Sequence, residues 1–309
     1  MTGTDETSAP SDGRSSVLDA RIAPSLLVAH VALIVFSTIA LTTFLAGPPP
    51  AWLQDEPNAT ALRLGWKYSG PTYVVLGALA ALAHASGRVG ARRAALLFAL
   101  GSLIALGSEL LGTSTGVPFG SYQYTPLLGY RIGGLVPFPI PVSWFYMIYG
   151  SLAIVGRLLP ARDDGTSKLR WSLLAGLVLT AWDVSMDPAM VKTAHWVWQT
   201  EGFFYGMPLS NWIGWFITGT IIARLMLEVV PPTIVARRIS PSLLPIALYL
   251  VNGVMPVALC IREQMWWAAI LGSVAMLLPV ALAIRAGSPV SRQSGRPSYA
   301  VAGRSAVAD

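Results

Sequence analysis

Asp183 and Asp187 stand four residues apart in a stretch that is otherwise mostly apolar. That spacing puts both carboxyls on one face of a helix, about one turn apart. Glu109 closes a second apolar run of the same kind. Acids inside a membrane cost several kcal/mol, so they default to functional groups. Three such carboxyls at one depth repel each other and lose their water, so at least one keeps its proton at neutral pH and is available as a general acid. The structural alternative is a buried network in which Asp187 caps a turn at Pro188, while Asp183 and Glu109 satisfy hydroxyls and indole N–H groups. Glu228 lies four residues from Arg224 and reads as half of a local ion pair.

The segments after these acids are rich in aromatics and punctuated by glycine and proline. Glu109 is followed by Gly116-Val-Pro-Phe-Gly-Ser-Tyr-Gln-Tyr-Thr125 and then by Val136-Pro-Phe-Pro-Ile-Pro141. Asp187 is followed by His195-Trp-Val-Trp198 and Gly202-Phe-Phe-Tyr-Gly-Met-Pro208. Neither reads as a solvated loop. They read as re-entrant or cavity-lining segments, tolerated at membrane depth when packed in protein, or as an interfacial aromatic belt. Tyr122 and Trp198 fit a cavity wall, and Trp212 and Trp215 fit belt or packing equally. Pro141-Val-Ser-Trp-Phe145 echoes Pro208-Leu-Ser-Asn-Trp212, a hint of two parallel repeats around one site. His195 is either a second proton carrier or an interfacial aromatic. His30 and His84 stand alone and read as packed or interfacial side chains, since a metal site needs several convergent donors. Cys260 lies in an apolar run and reads as a small hydrophobe.

The elements that position these groups follow from composition. The chain has 309 residues, 54% apolar and only 12% charged, against about 25% charged in a soluble domain. That shortage, with a mean hydropathy of +0.58, predicts an all-α polytopic transmembrane bundle. Eight spans are expected near 24–46, 68–86, 94–111, 139–159, 171–187, 211–230, 242–260 and 265–284. With the N-terminus inside, sixteen of the 21 Lys and Arg residues fall on the inner side, which supports an N-in/C-in topology with the aromatic loops outside. Glu109, Asp183 and Asp187 then share the outer end. The net charge of +6 is spread over inter-span segments, which fits topology and leaves no nucleic-acid footprint. Residues 1–23 and 287–309 read as disordered cytoplasmic tails flanking a transmembrane catalytic domain at 24–286.

The stretches from Glu109 to Phe145 and from Thr180 to Gly219, ELLGTSTGVPFGSYQYTPLLG through VPFPIPVSWF and TAWDVSMDPAM through HWVWQTEGFFYGMPLSNWIGWFITG, resemble the integral-membrane carotenoid-biosynthesis family. That family includes γ-carotene and bisanhydrobacterioruberin hydratases, and the resemblance covers about residues 95–225. It implies addition of water across the terminal 1,2 (or 1′,2′) double bond of an acyclic carotenoid end, giving a tertiary alcohol. It further implies an acyclic or monocyclic carotenoid substrate of the lycopene or γ-carotene class, a cell-membrane location among lipid, and other carotenoid-pathway membrane enzymes as partners.

The residue chemistry is compatible with this independently. Hydrating a trisubstituted alkene means protonating its less substituted carbon and letting water capture the tertiary cation. On this reading Asp183 and Asp187 form an acid/base pair, and Glu109 shares the proton or positions water. Tyr122, Tyr124, Trp182, Trp196 and Trp198 are candidates to bind the end group or stabilise the cation, with His195, Trp144 and Asn211 beside them. No metal or other cofactor is called for. Two alternatives stay open. Asp183-x-x-x-Asp187 also resembles half of the Asp-rich signature of magnesium-dependent membrane prenyltransferases. A carotenoid or lipid carrier would be non-catalytic.

Overall fold

The computed structural model describes residues 17–44 and 47–287. Most of both tails lies outside the described residues, although residues 17–23 are already helical. Eight helices are long and apolar enough to cross a membrane. They are α1 (Ala23–Thr42), α2 (Asn58–Val89), α3 (Ala91–Thr115), α4 (Pro139–Leu158), α5 (Gly165–Lys192), α6 (Leu209–Val229), α7 (Leu244–Arg262) and α8 (Trp266–Ala286). The expected count of eight holds, and the expected bounds are too short in three places.

Helix α2 starts ten residues before the expected 68 and runs through Pro71; α5 continues through Pro188 to Lys192; and α3 reaches Thr115. Asp187 therefore lies inside a helix rather than capping its end. Proline is tolerated within membrane helices because neighbouring groups take up the freed carbonyl, so its presence did not mark a terminus. The actual terminus of α3 is Gly116, whose φ of +79° is left-handed and stops the helix. At the other end of α5, the Asp164 side chain accepts a hydrogen bond from Ser167 N at 2.8 Å and caps the helix. Prolines 139 and 141 start α4, where a missing N–H costs nothing.

The bundle is built around α4, which packs against α2, α3, α5, α7 and α8. Nine-tenths of its apolar window is buried (89%), against 22% for α1 at the rim. Helices α5 and α6 pack closely because Gly176 meets the other backbone: a Cβ there would lie 2.9 Å from Phe216 O and 2.3 Å from Thr220 Oγ1. Small residues at crossings replace the hydrophobic driving force that lipid removes. Helix α7 is broken at Asn252–Gly253, between Leu244–Val251 and Val254–Arg262.

The long connections, expected as cavity-lining or interfacial loops, carry two short antiparallel ribbons. Strand β1 (Tyr122–Tyr124) pairs antiparallel with β4 (Trp196–Trp198), in register Tyr122↔Trp198 and Tyr124↔Trp196. A smaller hairpin joins β2 (Arg131–Ile132) to β3 (Val136–Pro137). The first ribbon is extended on both sides by Thr125 N to His195 O (3.0 Å) and Gln199 N to Ser121 O (2.8 Å).

Candidate functional site

Residues i and i+2 of a strand share a face. In the β1–β4 ribbon this places Tyr122, Tyr124, Trp196 and Trp198 together on the buried side, with Gln123 and Val197 turned outward and exposed. The two tyrosine rings lie 5.4 Å apart, Tyr122 is 5.2 Å from Trp198, and Tyr124 is 5.7 Å from Trp196. Each pair delivers its polar ends to an acid. Tyr122 and Tyr124 both donate their phenol O–H to Glu109 Oε2, the latter at 2.9 Å. The Trp196 and Trp198 indoles donate to Asp187 Oδ1 at 3.3 and 3.1 Å.

A third donor comes from α6. Asn211 Nδ2 donates to Asp183 Oδ2 at 2.7 Å and to Asp187 Oδ2 at 2.9 Å, bridging the aspartates. Asp183 Oδ1 is buried with no hydrogen-bond partner. Glu109, Asp183 and Asp187 are at most 3% exposed, yet only Glu109 and Asp187 line the adjoining cavity, and Asp183 stands behind Asp187.

That cavity has ≈ 860 Å³ of space between the atoms, part of it open to the outside. Trp144 stacks on Trp215 at 4.2 Å with the planes 15° apart, and Trp182 meets Trp215 edge-on at 5.8 Å. Trp182 is fixed by the break in α7: its indole N–H donates to the Asn252 carbonyl at 2.9 Å, an acceptor the interrupted helix leaves free. Trp144 Nε1 is buried without a completed hydrogen bond on the side of the cavity where Glu109 sits. Among the described residues no lysine or arginine lines this cavity. Among the described residues no group of three or more His, Cys, Asp or Glu is placed to hold a metal.

Outside the spans the electrostatics are set by burial. It pushes the Tyr122 and Tyr124 phenols well above the usual tyrosine range, and Glu109, whenever it is ionised, adds to this. Both phenols are therefore protonated donors at neutral pH. Burial lowers His195 to about 4, so its imidazole is neutral there.

Of the residues expected at the site, Glu109, Asp187, Tyr122, Tyr124, Trp144, Trp182, Trp196, Trp198 and Asn211 line one cavity, with Asp183 joined through Asn211. His195 is set apart. It binds Thr193 Oγ1 through Nδ1 at 2.8 Å and faces a second cavity. Trp215, left between belt and packing by sequence, is a wall of the first cavity, whereas Trp212 packs on Phe203 and Phe204. Both halves of the sequence echo reach the site, Trp144 from the first and Asn211 from the second. His30 and His84 are packed: His30 Nδ1 donates to the Tyr73 carbonyl at 2.6 Å, and His84 Nδ1 lies 2.7 Å from the Tyr149 hydroxyl. Glu228 pairs with Arg224 as expected and also with Lys168. Asn252 and Tyr146, which join each other at 3.2 Å in the cavity wall, went unnoticed in the sequence. Single polar residues in apolar helices carry no pattern that marks them.

A family model described as carotenoid biosynthesis protein matches residues 69–279, well beyond the stretch on which the sequence resemblance rested. Among characterised proteins the chain is similar to the bisanhydrobacterioruberin hydratase of Haloarcula japonica, with 34% identity over 134 residues. The match covers 43% of this chain and 45% of that protein, so under half of either is compared. No solved structure matches.

Proposed function

The chain belongs to the carotenoid biosynthesis protein family, and on that premise we propose that it is a carotenoid hydratase of the cell membrane, both termini inside, acting on a terminal double bond of an acyclic end group. The supporting observation is the convergence of four ribbon aromatics and Asn211 on carboxyls at the wall of an aromatic cavity.

The donors suggest how the acids divide the work. Asp187 receives three N–H groups, which can only donate and so favour its anion, and in our reading it is the anion of the site. Glu109 receives two O–H groups, which can donate or accept, so its surroundings suit either protonation state. In our reading Glu109 gives a proton to the less substituted alkene carbon. The alkene π pair forms the new C–H bond and leaves a tertiary cation. Trp144, Trp182 and Trp215 offer ring faces worth about 2 kcal/mol each when desolvated. Water attacks the cation, forming the C–O bond, and its surplus proton goes to Asp187. Return of that proton to Glu109 through the tyrosine hydroxyls restores the site. Asp183 is a positioning residue: a proton on its unpartnered Oδ1 leaves Asp187 as the sole anion of the pair.

The reading is tested by expressing the protein in a host accumulating lycopene or γ-carotene and weighing the pigments. A gain of one water per reacted end supports it. A gain of an isoprenoid unit makes the protein a prenyltransferase, and unchanged pigment bound to purified protein makes it a carrier.

A further inference from the structure

A second cavity, with ≈ 1510 Å³ of space that is partly open to the outside, lies between α1 and α2. It is walled by Phe36 and Leu41 of α1 and by Ala61, Gly65 and Trp66 of α2, nearly all apolar. Phe36 is 66% and Trp66 46% exposed, on faces that meet lipid if these helices span the membrane. Tyr73 and Met255 line both this cavity and the first, so the two spaces share a wall of two side chains. The depth of the second cavity comes from what is missing: a Cβ added at Gly65 would meet nothing within 4 Å, and one at Gly70 only Leu128 Cδ2 at 3.8 Å.

We propose that this groove is the binding site for the polyene body of the substrate, which enters sideways from lipid and threads its end group past Tyr73 and Met255 to the acids. The inference rests on the hydratase reading for the identity of the end group. It commits the groove to one occupant because of continuity and size. The first cavity is the smaller of the two and is walled mostly by buried side chains, so it takes an end group, while a fully extended C40 polyene, roughly as long as the hydrocarbon core is thick, cannot lie wholly inside it. The remainder must leave through a wall, and at Tyr73 and Met255 only two side chains separate the first cavity from the larger apolar space. A hydrocarbon with no polar groups needs no hydrogen-bonding lining, and its natural reservoir is the bilayer itself.

The experiment plugs the groove without touching the site. Gly65→Phe places a ring in the open space, and Gly65→Ala is the control that adds one methyl. Two substrates share the same dimethylvinyl terminus: lycopene, and a short acyclic isoprenoid hydrocarbon that fits the first cavity alone. Wild type and both variants are assayed for hydration of each, and purified protein is assayed for retained lycopene by its visible absorbance. The expected result is a tenfold or greater loss of lycopene hydration and of retained pigment in Gly65→Phe, with short-substrate hydration unchanged, and wild-type behaviour in Gly65→Ala. Equal lycopene turnover and retention in Gly65→Phe and wild type overturns the groove. So does an equal loss on both substrates, which would mean damage to the site; Ala61→Phe repeats the plug from one turn away and must reproduce the length selectivity. If wild type hydrates neither substrate the hydratase reading fails, and the retention assay alone then decides the groove.

Discussion

Replacing Asp187 by asparagine changes one oxygen into an NH₂ group and little else in shape, so its effect follows from the donors around it. Three N–H groups point at this side chain: the indoles of Trp196 and Trp198 at Oδ1 and Asn211 Nδ2 at Oδ2. An amide has one oxygen. Turned toward the indoles, it faces Asn211 with N–H against N–H; turned toward Asn211, it strands both indoles. Each buried donor left unsatisfied costs about 1–3 kcal/mol, so Asp187→Asn is expected to lose roughly that amount in the first arrangement. Asp183→Asn is the internal control. Its oxygen can keep the 2.7 Å bond from Asn211, and its NH₂ takes the place of Oδ1, which has no partner to lose. No existing hydrogen bond is lost and the position without a partner stays without one, so the expected cost is smaller than that of Asp187→Asn. The assay is thermal unfolding of the two purified variants in detergent, with hydration measured alongside. Asp187→Asn should melt below both wild type and Asp183→Asn, and its activity should fall by about 10²–10⁴, the range for losing an acid–base group. Asp187→Asn with wild-type melting and activity within about tenfold of wild type would refute both the donor count and the assignment of Asp187 as the anion.

Tyr122→Phe and Tyr124→Phe each remove one donor to Glu109, so each should reduce hydration. Their double-mutant cycle should show coupling of at least about 0.5 kcal/mol, since both serve one oxygen; strict additivity in the measured rates would argue against a shared role. Gly112→Val pushes side-chain atoms at Phe119 Cδ2 and the Tyr122 hydroxyl, 2.7 and 3.1 Å from an added Cβ, and should lower activity more than it lowers the amount of protein recovered from membranes. His195 titrates near 4 when folded because burial disfavours its charge, against about 6.5 in an unfolded chain. Between those values the unfolded state binds more protons, so stability is lost as pH falls through the window, by at most about 1.4 kcal/mol per pH unit. His195→Gln should flatten the pH dependence of the melting temperature between pH 6.5 and 4, and an unchanged slope would mean the imidazole is not buried in solution.

The eight helices were legible because twenty-residue apolar runs have few other uses. Their ends were less so, since Pro71 and Pro188 look like breaks and are not. The acids stood out because charge is scarce, and the aromatics after them because a solvated loop has no reason to carry so many. What stayed hidden was the pairing of two short strands more than seventy residues apart. A signal was present: Tyr122-Gln-Tyr124 and Trp196-Val-Trp198 each alternate large aromatic with another residue, the period of a strand with one buried face. Three residues are too few to separate strand from loop by periodicity. Asp183 and Asp187 looked like equivalent partners because spacing fixes only their common face, and the neighbours on β4 and α6 decide which one meets the cavity.

The ribbon also sets a time order for the protein's own biogenesis. β1 leaves the ribosome after α3, and β4 follows only when α4 and α5 have been made, so the pairing Tyr122↔Trp198 closes a loop of 76 residues late in synthesis. Until then Glu109 lacks a scaffold for its two phenols and Asp187 lacks its indoles, and Asn211 arrives later still on α6. Helices α3 and α5 thus enter the bilayer with acids near one end that have not met their final partners. Pairing of the ribbon gives Glu109 and Asp187 their aromatic donors at one stroke, and the set is complete only when Asn211 follows on α6.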